Sequence, residues 1–288
     1  MYPTPFDYHR PKTVAEAIAL LRANDEAKVL AGGHSLLPAM KLRLATPAAL
    51  VDIGGIKELV GIRVAGSALQ IGALTTHAAV ADSPEVQRGC PVLAEAAAQI
   101  GDLQVRNRGT IGGSLANADP AADYPSLLLA LNGKLTATGP DGQREIAATD
   151  FFTGLFATAL KPDELLTAVS VPTYGAGTGG AYSKHRHPAS YYAVVGVAAL
   201  VTLEKGKCAR VALAVGGVMA TAARAGAAEQ ALTGQPADEA NIAQAAEKVG
   251  EAIVRPMSDV YASGEYRTHL AKVLARRALT AAAARARG

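Results

Sequence analysis

Cysteine is almost absent from this 288-residue sequence: Cys90 and Cys208 each stand alone in an apolar stretch. That excludes a disulfide framework. It also excludes a self-sufficient iron–sulfur protein, because a cluster takes about four thiolates. Charge of one sign is equally scarce. Lys plus Arg exceed Asp plus Glu by 28 − 25 = 3, too diffuse an excess to serve as a nucleic-acid footprint. The basic tail (Arg276, Arg277, Arg285, Arg287) has no matching aromatic or basic surface elsewhere, and is read as a helix end with cations near the negative dipole pole. Long apolar runs are missing too. The longest, Ala193 to Leu203, is about half of the ~20 residues that span a bilayer, and MYPTPFDYHRPK carries no apolar leader segment. The sequence therefore predicts a cytoplasmic protein without a transmembrane segment.

What is present is the material of a packed protein. Half of the residues are hydrophobic, 18% are charged and the mean hydropathy is +0.16, so the chain folds, and its length suits two domains. A strand around Phe6 to Tyr8 precedes a helix from Thr13 to Ala23, with Thr13 and Glu16 as a capping box. A strand at Lys28 to Ala31 ends in Gly32-Gly33, and a helix starts near His34; Leu50 to Ile53 closes a first α/β unit. Strands at Leu59 to Val64 and Ala68 to Ile71, an alanine-rich helical stretch from Val86 to Ile100 interrupted near Pro91, and strands at Lys134 to Thr138 and Glu164 to Val171 make a second. The glycine-rich segment Gly175 to Gly180 reads as a linker between domains. Beyond it come strands at Tyr191 to Leu203 and Cys208 to Gly216, then helices at Ala222 to Leu232, Glu239 to Val254 and Tyr266 to Arg287.

Two glycine bends carry the chemical interest. In AGGHS, Ala31 to Ser35, paired glycines between strand and helix permit positive φ and let consecutive amides point at one anion, although such a pair also serves as a plain turn. In TIGGSLANADPAADYP, Thr110 to Pro125, a strand-like Thr-Ile precedes two glycines and the polar Ser114, Asn117 and Asp123; a double-glycine β-bulge is the plain alternative. Two such nests suit a ligand with two adjacent phosphates, such as a dinucleotide. Two other patterns mislead. Gly175 to Gly180 satisfies G-x-G-x-x-G, but no helix follows it. Gly33-His34-Ser35-Leu36-Leu37 resembles a nucleophile elbow, with Leu37 where the second glycine belongs; a Ser35 hydrolase would need His269 and Asp259 nearby. His185 and His187 share one strand face and lack a third ligand, which favours a solvated or partner-facing pair over a metal site.

The segments VLAGGHSLLPAMKLRLATPAALVDI (Val29 to Ile53) and VRNRGTIGGSLANADPAADYP (Val105 to Pro125), with Asp163 to Thr167, Tyr182 to Lys184 and Glu265 to Arg267, resemble the FAD-binding medium subunit of molybdenum hydroxylases. These include aerobic carbon monoxide dehydrogenase and relatives of xanthine dehydrogenase. The resemblance implies an α+β fold: a two-subdomain α/β FAD-binding domain over 1–175 (subdomains about 1–56 and 57–175), then a C-terminal domain over 177–288 with a three-stranded antiparallel sheet and helices. It implies FAD held by Gly32, Gly33, His34, Ser35 and Leu36 as a first pyrophosphate cradle, and by Thr110, Ile111, Gly112, Gly113 and Ser114 as a second. Asn117 and Asp123 would meet ribityl and flavin-side polar atoms, and Ile100 would pack on adenine. Leu166 and Lys184 would lie beside the flavin, and Tyr192, or its neighbour Tyr191, near the ring face. Lys184 would favour the anionic reduced flavin by its charge. No acid–base catalytic residue and no metal ligand is expected in this chain.

By the same resemblance, the molybdenum cofactor sits on a large subunit and two [2Fe–2S] clusters on a small one, in a dimer of heterotrimers at the cytoplasmic side, with docking at the inner membrane face left open. Carbon monoxide is the first substrate expected of the complex. N-heterocycle, purine and aldehyde hydroxylases are the alternatives within the family, and a self-sufficient flavin oxidoreductase the alternative outside it.

Overall fold

Strand-forming residues fall into three sheets and a hairpin in the computed structural model, which describes residues 2–288. The first sheet is parallel, with β1 (Asp7–His9), β2 (Ala27–Leu30) and β3 (Ala49–Asp52) in the order β1-β3-β2. Helix α1 (Val14–Ala23) buries Ala17, Ile18 and Leu21, and α2 (Leu36–Lys41) leaves β2 through the first glycine bend. At the start of α1 the Thr13 hydroxyl accepts from Glu16 N–H at 3.2 Å, as expected. The Glu16 carboxylate reaches back one residue further than expected, to Lys12 N–H at 2.8 Å.

The second sheet is antiparallel, with β4 (Ile62–Ala65), β5 (Ala68–Gly72), β10 (Leu165–Pro172), β6 (Lys134–Gly139) and β7 (Gly142–Ala147) side by side in that order. Six helices connect β5 to β6: α3 (His77–Asp82), α4 (Pro84–Gly89), α5 (Pro91–Ala98), α6 (Leu103–Arg108), α7 (Ile111–Asn117) and α8 (Tyr124–Leu131). A short α9 (Ala148–Phe151) and the hairpin β8 (Phe152–Gly154) and β9 (Ala157–Thr158) link β7 to β10. The third sheet runs β11 (Thr178–Arg186), β12 (Ala193–Glu204), β13 (Lys207–Gly216) and the two-residue β14 (Ala223–Arg224), so the expected three long strands gain a fourth short one. Helices α10 (Gly226–Leu232), α11 (Glu239–Glu247) and α12 (Gly264–Ala286) accompany it. Among the described residues no helix is long and apolar enough to cross a membrane.

The stretch from Val86 to Ile100 breaks at Pro91 as expected, because Pro91 has no N–H and starts α5 afresh. Two expectations change. Gly175 to Gly180 is no flexible linker: β11 begins at Thr178, and a Cβ on Gly179 would stand 2.5 Å from Ala286 N of α12. Those glycines let helix and sheet approach. The strand expected from Tyr191 begins at Ala193, since Tyr191 has a φ of +60° in a turn. Helix α8 is buried along its whole length and packs on β12 and β13, tying the two halves of the molecule together.

The basic tail works as a set of ties. Arg285 bonds Glu95 at 2.5 Å and the Gly180 carbonyl at 2.6 Å, and Arg287 bonds the Ala237 carbonyl at 2.6 Å.

Candidate functional site

The first glycine bend begins where β2 stops. Leu30 O accepts from Ile53 N–H at 3.0 Å, and the chain then turns through Gly32 and Gly33, the latter at a φ of +78°. A Cβ on Gly32 would overlap the Arg108 carbonyl oxygen and stand 2.8 Å from Gly109 Cα. Among the described residues, the amide N–H groups of Gly32, Gly33, His34, Ser35 and Leu36 find no protein acceptor. Five consecutive unpartnered donors on a left-turning bend form an anion nest. With only six residues, α2 adds little dipole, so the amides themselves carry the site.

The second bend is built differently. Thr110 and Ile111 form no strand; Thr110 caps α7, its hydroxyl accepting from Gly113 N–H at 3.0 Å. Ile111 N–H donates to Thr75 O at 3.0 Å, Gly112 N–H to Ala73 O at 2.8 Å, and Ser114 N–H to Thr110 O at 3.0 Å. A Cβ on Gly112 would stand 2.7 Å from the Ala73 carbonyl oxygen. The glycine pair thus lets a helix sit against Ala73. The amides of Ile111 to Ser114 are engaged within the protein, so towards the cavity this bend presents the Thr110 N–H, which has no acceptor among the described residues, and the side chains of Ser114 and Asn117. Ile111, fully buried with its amide engaged, offers the cavity nothing.

The bends nonetheless converge. Gly32 abuts Arg108 and Gly109, and the Cβ position on Gly113 lies 3.6 Å from Ala31 Cβ. Both open on one cavity of about 570 Å³. Gly32, Gly33, His34, Ser35, Leu36, Ile100, Thr110, Gly112, Gly113, Ser114, Asn117, Asp123, Leu166 and Tyr192 line it, while Ile111 and Lys184 do not. Such a volume suits a cofactor-sized ligand.

The same cavity is lined by one member of a buried ion pair. Asp123 precedes α8, and its carboxylate takes the Lys184 ammonium at 2.8 Å and the Tyr182 hydroxyl at 2.7 Å; Lys184 also donates to Gln99 O at 3.1 Å. Burial pushes the Asp123 carboxyl above its ordinary range, with Lys184 and Tyr182 pulling the other way. Asp123 offsets the Lys184 charge, so that charge meets the cavity through the carboxylate rather than directly. Tyr191 and Tyr192 both line the cavity; Tyr192 stands against Ser35, and burial followed by the Asp119 charge raises its phenol.

Sequence reasoning missed several wall residues. His77 and Gly109 line the cavity, and Arg106 donates to the carbonyls of Ile100 and Gly101 at 3.0 Å each, shaping the approach to it. A lone histidine and a single glycine carry no spacing signal, so only the fold exposes them. The hydrolase constellation does not assemble. Asp259 is committed to Arg267 at 2.5 Å and to two backbone amides, and His269 is exposed on α12. His185 and His187 pack on Tyr261, with centroids 6.5 and 4.5 Å away, and no metal-binding cluster occurs among the described residues.

An anion nest facing polar side chains across one cavity, on a two-part α+β scaffold, defines a dinucleotide-binding flavoprotein component. Residues 4–174 match the FAD binding domain in molybdopterin dehydrogenase, and residues 180–282 the CO dehydrogenase flavoprotein C-terminal domain. The chain belongs to the family of FAD-binding subunits of molybdenum-containing dehydrogenases. It is 43% identical to the carbon monoxide dehydrogenase medium chain of Afipia carboxidovorans, over 100% of both chains. It is 39% identical to the 6-hydroxypseudooxynicotine dehydrogenase complex subunit alpha of Paenarthrobacter nicotinovorans, over 100% of this chain and 97% of that one. Among solved structures it resembles carbon monoxide dehydrogenase from Hydrogenophaga pseudoflava, with a TM-score of 0.96, 44% identity and 99% of each chain covered. The chain is thus the flavoprotein component of a multi-subunit oxidoreductase and works with partner subunits.

Proposed function

We propose that this chain holds FAD between its two glycine bends and passes electrons from a [2Fe–2S] small subunit to an external acceptor. The five unpartnered amides of Gly32 to Leu36, opening on a cavity shared with Ser114 and Asn117, carry this reading. In it, the nest binds the diphosphate, and Ile100 packs on adenine. Asn117 and Asp123 meet the ribityl and flavin-side polar atoms, with Leu166 and Tyr192 beside the ring. FAD supplies the redox chemistry; this chain's residues position it, exclude water and set the local charge. The neutralised Asp123–Lys184 pair leaves the ring environment without a net buried charge from those two groups.

The medium chains it resembles support a carbon monoxide dehydrogenase-type complex, with a molybdenum-binding large subunit and a dimer of heterotrimers at the cytoplasmic side. The likeness to a 6-hydroxypseudooxynicotine dehydrogenase subunit supports N-heterocycle, purine or aldehyde oxidation as the second reading. We place the domain division at residues 175–177, and the subdomain division near residue 56. Purification of the complex followed by anaerobic addition of carbon monoxide tests the assignment: bleaching of flavin absorption near ~450 nm is expected. A complex that contains no flavin refutes the cofactor reading, and one bleached by a heterocycle but not by carbon monoxide selects the second substrate class.

A further inference from the structure

A histidine stands behind the second bend. His77 opens α3 and is 4% exposed. Its backbone N–H donates to Gly109 O at 3.0 Å, and its Nδ1 lies 3.2 Å from the buried Tyr124 hydroxyl, which fixes the ring. Nε2 has no protein partner among the described residues, and a Cβ on Gly109 would stand 2.7 Å from it. Gly109 is also the residue that Gly32 abuts. His77 and Gly109 therefore stand beside the amide nest, and both line the cavity.

We propose that His77 supplies, through Nε2, a polar contact to the cofactor's diphosphate beside the two glycine bends. The inference rests on the FAD reading above. Three features support it. Tyr124 anchors one ring nitrogen, so the other is aimed rather than free to rotate. Burial, with the charges of His34 and Arg106 nearby, holds the imidazole neutral, its pKa lowered to about 4. A neutral ring bonded at Nδ1 still offers a donor or an acceptor at Nε2, and an anionic group would favour the donor form. Arg106, held by the carbonyls of Ile100 and Gly101, places a permanent positive charge near the ring.

The test titrates the flavin-stripped assembled complex with FAD and with riboflavin, which has no phosphate, following flavin fluorescence. His77→Leu should weaken FAD roughly ten- to a hundredfold, as for loss of a hydrogen bond to a charged group. Riboflavin affinity should change by less than about twofold. His77→Gln, which returns an amide donor, should recover most of the loss. Where the leucine variant does not assemble, His77→Asn makes the same comparison with a donor too short to reach. Equal weakening of both ligands assigns His77 a merely structural role and overturns the proposal, as does wild-type FAD affinity in His77→Leu. A wild-type complex that takes up neither flavin refutes the FAD reading itself, so the two failures are distinguishable.

Discussion

The two glycine bends look interchangeable as sequence, each a pair of glycines with a serine close behind, yet they are opposite devices as structure. In the first, Gly33 has a φ of +78° and five amides are left without partners. In the second, Gly112 and Gly113 are helical, and the carbonyls of Ala73 and Thr75 and the Thr110 hydroxyl occupy three successive amides. One pair of glycines exposes backbone donors; the other hides them and brings a helix close. A glycine pair alone therefore says that something approaches closely, and the hydrogen-bond partners of its amides say whether that thing is a ligand or the protein itself.

The largest expected effect falls on the first bend. Gly33→Val places a β-branched residue at positive φ, costing about 1–3 kcal/mol of backbone strain. Its Cβ would also stand 2.9 Å from Leu37 Cδ1. FAD affinity should fall by roughly a hundredfold or more, read as the flavin-to-protein ratio of the purified complex. Gly113→Ala should cost several-fold less, since its φ is ordinary and its Cβ would meet only the Thr110 hydroxyl, a side chain that can turn away, at 2.7 Å. Equal losses in the two variants would erase the distinction between the bends.

Acid should loosen the second bend selectively. In the folded, flavin-free protein His77 titrates at about 4, below the ~6.5 of an unfolded chain, so unfolding takes up a proton between those values. Stability is then lost as pH falls from ~6.5 toward ~4, by up to about 3 kcal/mol, and is unaffected by this group above ~6.5. Denaturant melts of wild type and His77→Gln across that window measure it. The glutamine variant should show the shallower pH dependence, and identical slopes would mean that His77 is not held neutral. Next in size is Thr110→Ala, which removes the Gly113 cap and should cost about 1 kcal/mol of stability, with Thr110→Ser restoring it.

The legible parts of the molecule were those with a local signature. Alternating strands, the Thr13 cap and the two bends with their convergence could be read because spacing and residue type carry them. Helix α8 could not, because YPSLLLAL is apolar on every side and has no amphipathic period; its helical state follows from burial between two sheets. Helix α7 was hidden by its glycines, which are poor helix formers tolerated because Ala73 leaves no room for a side chain. Lys184 was placed near the cavity, but its neutralisation was invisible, since Asp123 lies 61 residues away and only the packing of α8 on the third sheet brings them together. Residue type found the candidates; which donors remain available is a property of the folded partners.

The smallest expected effect is also the one aimed most narrowly at the second bend. Ser114→Ala leaves the backbone of α7 intact, because the Ser114 amide bonds Thr110 O and its side chain caps nothing. If this bend contributes through side chains, FAD affinity should drop by roughly two- to tenfold, the worth of one hydrogen bond that water can partly replace. Melting temperature should stay put. Had the bend gripped the ligand through amides, the same variant would change nothing, while Gly113→Ala would be as damaging as a substitution at Gly33. Flavin titration of Ser114→Ala beside Gly113→Ala therefore decides between hydroxyl and backbone as the second hand on the cofactor.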